Sequence, residues 1–258
     1  MKTINNFKEI VGIIGGIGPE ATNYFTSLLV KLRQPYVQKD QDHIPYFVMN
    51  NPQIPDRSEF ILGQSAESPL PELIRSGKLL KEMGATFLVM PCNTSHAFTE
   101  ELEEKTHLEV LNMIHLTVKH IGYTLGQDLK VGLLATTGTV KANIYTRAFK
   151  KMAPQIKVIL PDAKLQKNVM KAIYSIKANG VNKSNAILLQ NAAKSLIKKG
   201  ADVIILGCTE IPLALHADNQ NFIDPMEILA QNVIARSISS KAEPQKSPKK
   251  FWNLFNNP

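Results

Sequence analysis

The sequence predicts an α/β fold: two similar doubly wound parallel-sheet domains related by pseudo-two-fold symmetry, with a candidate active site in the cleft between them. Three observations predict it. Short apolar runs alternate with helical patterns, the mark of parallel sheets covered on both faces. The chain also repeats itself: VGIIGG at Val11 is echoed by VGLLAT at Val131, and GATFLVMPCNT at Gly84 by GADVIILGCTE at Gly200. Finally, the only two cysteines end matched strands, Cys92 lying 81 positions after Val11 and Cys208 77 positions after Val131. Each thiol then stands at the carboxyl end of a strand, where open α/β sheets bind ligands.

Taken in order, residues 11–14 form a buried strand closed by Gly15 and Gly16. Pro19 and Glu20 suit the first turn of a helix that runs to about residue 32. Residues 44–49 are a second strand. The loop over 50–57, NNPQIPDR, is stiffened by Pro52 and Pro55. A helix over 70–83 ends at Gly84, and a strand over 85–90 leads to Cys92. A helix over 95–105 and a fourth strand over 108–113 complete this half. The pattern restarts with a strand over 131–135, a polar turn over 136–139 and a helix over 140–152. A short strand over 157–160 and helices over 165–178 and 183–199 follow. Gly200 stops the last of these, and a strand over 202–206 leads to Cys208. Residues 222–224 are a final strand, and Pro225 opens a helix to about residue 238. The expected domains are 1–113 with the returning helix 225–238, and 114–224. The Lys/Ser/Pro-rich tail, 239–258, has the composition of a disordered segment. Its Phe251, Trp252, Leu254 and Phe255 could dock locally, on this chain or another.

Hydrophobic content of 44% and charged content of 20% are ordinary for a soluble globular protein. The apolar runs are too short to span a bilayer, and the first residues lack a signal-peptide core. A cytoplasmic protein without a membrane partner is expected. Two cysteines in a reducing compartment read as free thiols. No CxxC or HExxH occurs, so no metal is expected. Of the net charge of +8, the tail with its four Lys and one Glu carries +3. The rest shows no dense basic stripe, which argues against a nucleic-acid partner and suits a small anionic substrate.

Residues 16–21 fit G-x-G-x-x-A after a strand, the dinucleotide pattern. Yet the second strand ends Met49-Asn50-Asn51 without the acid that a ribose requires, and Pro19 removes a backbone donor. The turn reads instead as letting backbone N–H groups approach a smaller anion, such as a carboxylate. A single cysteine after a strand is most often packing. Two at matched positions point to catalysis, since a thiolate at a helix N-terminus is stabilised there. Asn93, Thr94 and Thr209 supply polar neighbours. Two facing thiols suit inversion of a carbon centre, one base taking a proton from one face while an acid delivers a proton to the other. Arg57, held beside Pro55, is a candidate bidentate carboxylate clamp, although a lone loop arginine is also commonly just solvated. Lys177 reads as an amphipathic-helix lysine, and His96 as a hydrogen-bonding residue at a helix start.

The stretches IIGGIGPEAT, NPQIPDR, MPCNTSH, VGLLATTGT, QKNVMKAIYSIKANG and LGCTEIPL occur in that order within residues 10–236. Together they resemble the aspartate/glutamate racemases that work without pyridoxal phosphate. The GGIGPEAT opening and the IPDR loop are similar to the aspartate racemase branch, not to the DSG-type opening of the cell-wall glutamate racemases. The resemblance implies a two-domain fold, a homodimer and no cofactor. It implies Cys92 and Cys208 as the paired acid and base, with Asn93, Thr94 and Thr209 lining the substrate site. Arg57 and Lys177 match a basic pair for substrate carboxylates, and Thr136 a further site position. Ile17 stands where the family often has Met. The implied activity is interconversion of L- and D-aspartate, with glutamate as a second substrate. Rival readings are another isomerase or a decarboxylase of small dicarboxylates, a non-catalytic binding protein for acidic amino acids, and a structural disulfide.

Overall fold

The structure is a computed structural model and describes residues 7, 9–126, 128–215 and 221–238. The tail, with its expected disorder and its aromatic residues, lies outside the described residues. The first half comprises β1 (Val11–Gly15), α1 (Pro19–Arg33), β2 (Tyr46–Asn50), α2 (Arg57–Ile61), α3 (Leu70–Glu82), β3 (Phe87–Val89), α4 (Thr99–Thr106) and α5 (Met113–His120). The second comprises β4 (Lys130–Ala135), α6 (Thr137–Lys141), α7 (Ile144–Met152), β5 (Lys157–Ile159), α8 (Ala163–Asn179), α9 (Lys183–Lys198), β6 (Val203–Gly207), α10 (Ile211–Ala214), β7 (Phe222–Ile223) and α11 (Pro225–Ser237).

Two parallel sheets result, ordered β2-β1-β3 and β5-β4-β6-β7. The repeated sequences occupy equivalent strands, with β1 and β4 central and the cysteine-bearing β3 and β6 beside them. Strand alternation sends successive side chains to opposite faces. Val11, Ile13, Phe87 and Val89 pack on α1 and α11, while Ile14, Leu88 and Met90 pack on α3 and α4. In the second sheet Val131, Leu133, Val203 and Ile205 face α5 and α7, while Leu134, Ile204 and Leu206 face α8 and α9. Each such fully buried side chain stabilises the fold by roughly 1.5–3 kcal/mol. α11 follows β7 of the second sheet yet packs on α1 and α5. It starts on Asp224, whose carboxylate accepts from the Met226 N–H at 2.9 Å.

The two halves also share a packing device. Gly12 in β1 and Gly132 in β4 let a helix approach its sheet closely. A Cβ on Gly12 would lie 2.9 Å from Ala85, 3.0 Å from Leu88 and 3.1 Å from Leu80. A Cβ on Gly132 would lie 3.3 Å from Ala201, 3.1 Å from Ile204 and 3.1 Å from Leu196. The neighbours correspond one to one in the repeat.

Several expected elements differ. The strand over 108–113 contracts to one parallel bridge, Leu88 to Val110, because Asn112 already caps α5 by accepting from Ile114 and His115 N–H. The helix over 113–120 had no counterpart in the sequence reading. The helix over 95–105 is a 3₁₀ turn, Thr94–Phe98, followed by α4. The turn over 136–139 and helix over 140–152 are α6 and α7, separated by Asn143 in the left-handed conformation (φ 55°) that asparagine tolerates.

If the glycine contacts are equivalent, Gly12→Ala and Gly132→Ala should each overpack a helix–sheet contact and cost about 1–3 kcal/mol. Urea midpoints of the two variants check this. A neutral result at either position would break the equivalence.

Candidate active site

Both cysteines leave their sheets at equivalent places. Cys92 follows β3 through a tight turn in which its N–H donates to the Met90 carbonyl at 2.7 Å, and Cys208 follows β6 directly. Neither heads a long helix as expected: a 3₁₀ turn follows Cys92, and the four-residue α10 follows Cys208. The macrodipole available to each sulfur is correspondingly small.

Arg57 reaches the same region through its neighbours. Asp56 caps α2, accepting from Ser58 N–H at 2.7 Å and Glu59 N–H at 3.0 Å, and so places Arg57 at the first helical position. Its guanidinium donates to the carbonyls of Ile17, Ile54 and Pro55. The fork therefore clips the loop to the glycine turn, which differs from the expected bidentate clamp; its Nε–H is buried without a partner. The glycine turn is tight because Gly16 (φ 80°) passes over the chain at Asn51, where a Cβ would meet backbone atoms at 2.3–2.6 Å. The Gly16 N–H is used internally, donating to Thr22 Oγ1 at 3.0 Å. A carboxylate does lie against this turn, but it is the protein's own: a Cβ on Gly18 would stand 3.0 Å from Glu210 Oε1.

The structure brings the sequence-singled residues together. Cys92, Cys208, Ile17, Arg57, Asn93, Thr94, Thr136, Lys177 and Thr209 all line one enclosed cavity of ≈ 10 Å³, with room for about one water. Asp56, Ser58 and Glu210 complete its wall. The seam is polar and close. Thr94 Oγ1 stands 3.0 Å from Thr136 Oγ1 and 2.9 Å from Thr139 Oγ1, joining the two halves. Gly138 lies flat on Ser58, where a Cβ would approach the Ser58 backbone to 2.6 Å. Tyr145 donates to Asn93 Oδ1 at 2.6 Å, which fixes the amide and leaves its buried Nδ2 without a partner. Two buried donors, Arg57 Nε and Asn93 Nδ2, thus await an acceptor.

Glu210 is 3% exposed and had not been singled out. Its Oε2 accepts from the Cys208 thiol at 2.8 Å and from Thr209 Oγ1 at 3.3 Å. Burial first, and then the Glu210 charge, push the Cys208 thiol well up, with Lys177 opposing. Burial would lower Lys177, yet the carboxylates of Glu210 and Asp56, and the Cys208 sulfur when it ionises, hold it above the usual lysine range. Its ammonium stands 3.7 Å from Asp56 Oδ2. Asp56 would rise by burial but is held down by Lys177 and the N–H groups it accepts. The available signal for Glu210 was the repeat, in which an acid replaces the Thr94 counterpart.

A profile of Asp/Glu/hydantoin racemases matches residues 14–233. The chain belongs to the Asp/Glu/hydantoin racemase family. The aspartate racemase of Picrophilus torridus shares 32% identity and superposes with a TM-score of 0.78, over 96% of this chain and 100% of that one. The broad specificity amino-acid racemase RacX of Bacillus subtilis is 24% identical over 88% of this chain and 97% of its own length. Glutamate racemase of Francisella tularensis, solved with D-glutamate, shares the fold at 18% identity and a TM-score of 0.64, covering 95% of this chain and 91% of that one. Among the described residues, no helix is long and apolar enough to cross a membrane, and no group of three or more His, Cys, Asp or Glu could hold a metal.

In this racemase-family chain His96 lies outside the cavity lining. Its Nε2 accepts from the Met113 N–H at 3.1 Å, so Nδ1 carries the proton and donates to the Cys92 carbonyl at 2.9 Å. Burial pushes its pKa down to about 4, against the pull of that carbonyl. The ring is a neutral strut holding the Cys92 turn to α5. Imidazole ¹⁵N spectra should show the Nδ1–H tautomer unchanged from neutral pH to about pH 5. Protonation near pH 6.5, as in an exposed histidine, would refute the strut. Because the folded pKa is depressed, the stabilisation is full above the unfolded value of about 6.5 and fades as pH falls toward about 4.

Proposed function

We propose that the protein interconverts L- and D-aspartate, with glutamate as a second substrate, by two-base proton transfer between Cys92 and Cys208. The observation that carries this reading is that both thiols, each from an equivalent strand of the two matched sheets, line one enclosed polar cavity. The similarity to the Picrophilus torridus aspartate racemase over the whole of that chain supports aspartate.

Within this reading Cys208, whose thiol donates to Glu210 and is raised by burial and by that charge, starts as the acid of the pair. In turnover, one sulfur removes the α-proton from one face and the other supplies a proton to the opposite face. Negative charge develops on the α-carbon and its carboxylate. Lys177, with the open Arg57 Nε–H and Asn93 Nδ2–H, is placed to stabilise that charge in a water-poor site. The reading calls for no cofactor. The cavity of ≈ 10 Å³ is too small for an amino acid, so binding requires its walls to move apart.

Incubation of single enantiomers in D₂O tests the reading through optical rotation and α-deuterium. Cys92→Ser and Cys208→Ser should each abolish racemisation, because a serine hydroxyl ionises far less readily than a thiol. Each should still wash deuterium slowly into one enantiomer, a different one for each variant. Racemisation at near the parent rate in either variant would rule out the two-base assignment.

Glu210→Gln gives a separate check. Removing the negative charge lowers the Cys208 pKa, so the basic limb of the kcat/KM profile should move to lower pH. An unmoved limb, with the fold intact, would remove Glu210 from control of that thiol.

A further inference from the structure

A second concavity, ≈ 820 Å³ in volume, lies apart from the catalytic cavity among α4, the segment 107–112, α5 and α7. Its size is in the range of real binding grooves, roughly 300–1,000 Å³. One wall is acidic. Glu100 and Glu103 lie one turn apart on α4, and Glu103 Oε1 accepts from the Val110 N–H at 2.7 Å, which leads the stripe on to Glu109. Glu100 and the adjoining Glu101 have no ion-pair partner among the described residues. The floor is apolar, with Leu111, Ile144 and Met152, the last of them 41% exposed.

The described chain ends at the edge of this groove. Arg236, two residues before Ile238, pairs with Glu109 Oε2 at 2.9 Å and with Glu9, and lies over the Phe87 ring at 4.3 Å. The twenty residues that follow, 239–258, carry four lysines and one glutamate, then Phe251-Trp252-Asn253-Leu254-Phe255. Twelve residues separate Ile238 from Phe251, a reach of up to roughly 45 Å when extended. The segment therefore starts beside the acidic wall, matches its charge, and brings its aromatic residues within range of the apolar floor.

We infer that this groove is the docking site of residues 239–258, whose lysines are complementary in charge to the acidic α4 wall and whose aromatic run is complementary to the apolar floor. Lys119, Arg147 and Lys151 form the opposite wall and repel the lysine run, which confines it to the α4 side. The chain's own segment is favoured over a second copy because tethering gives a local concentration of about millimolar.

Trp252 is the single tryptophan of the chain and reports its own surroundings. In the full chain its emission should be blue-shifted and several-fold less quenched by acrylamide than in the free 239–258 peptide. Glu100→Lys combined with Glu101→Lys, and separately Met152→Glu, should restore the quenching of the free peptide. All three positions are exposed, and circular dichroism verifies the fold of each variant. Protection should not change on dilution and should weaken with salt. Peptide-like quenching in the parent chain would overturn the inference, as would protection that survives both groove variants. Protection lost on dilution would also overturn it, by placing the segment on a second copy.

Discussion

Two cations and two anions share the wall of one narrow cavity, and the arrangement of the site depends on keeping them paired. Arg57, Lys177, Asp56 and Glu210 stand together in its wall. An unpaired buried charge costs several kcal/mol, so each must find a partner. Arg57 takes three backbone carbonyls, Lys177 faces Asp56, and Glu210 accepts from a thiol and a hydroxyl. These pairings hold the proline loop, the glycine turn and the Cys208 turn in register. They also balance the charge of the site, and Arg57 Nε and Asn93 Nδ2 remain as its buried donors without a partner.

The architecture is symmetric where it concerns packing and asymmetric where it concerns protons. β1 and β4, β3 and β6, and even the glycines under α3 and α9 correspond. The two thiol environments do not. Cys92 is followed by Asn93 and Thr94, neutral groups tied to Tyr145 and to the Thr136–Thr139 pair, and its turn is braced by a neutral imidazole. Cys208 is followed by Thr209 and a carboxylate. Matched strands bring both sulfurs to one cavity. The unequal neighbours set a charged acceptor beside one sulfur only, and burial with that charge raises the Cys208 thiol.

The two halves meet closely at one seam. Hydroxyls of Thr94, Thr136 and Thr139 touch across it, and Gly138 rests on Ser58 without space for even a methyl group. Hydrogen bonds between neutral hydroxyls have modest net strength, about 0.5–1.5 kcal/mol each. The position of the seam at the ends of the strands keeps it out of the hydrophobic cores of both sheets.

Much of the frame was legible in the sequence, because a repeat of apolar strands ending in cysteine leaves few ways to bury both sheet faces. The placement of β1, β3, β4 and β6, and of the helices packed on them, follows from that periodicity. Local capping was legible too, but it was underused: Asn112 marked α5, and Asp56 with Glu59 marked α2. Reading 108–113 as a strand failed because its apolar run lacks a length of partner edge, and the cap after it competes for the same residues. The chemistry of the site was legible as residue types, not as contacts. Only the folded chain could turn the Arg57 fork onto carbonyls and set Glu210 against both Cys208 and the Gly18 turn. The Arg57 bond to Ile17 joins residues 40 positions apart and the Glu210 contact with Gly18 joins residues about 190 apart, and sequence periodicity carries no information about which groups meet over such distances.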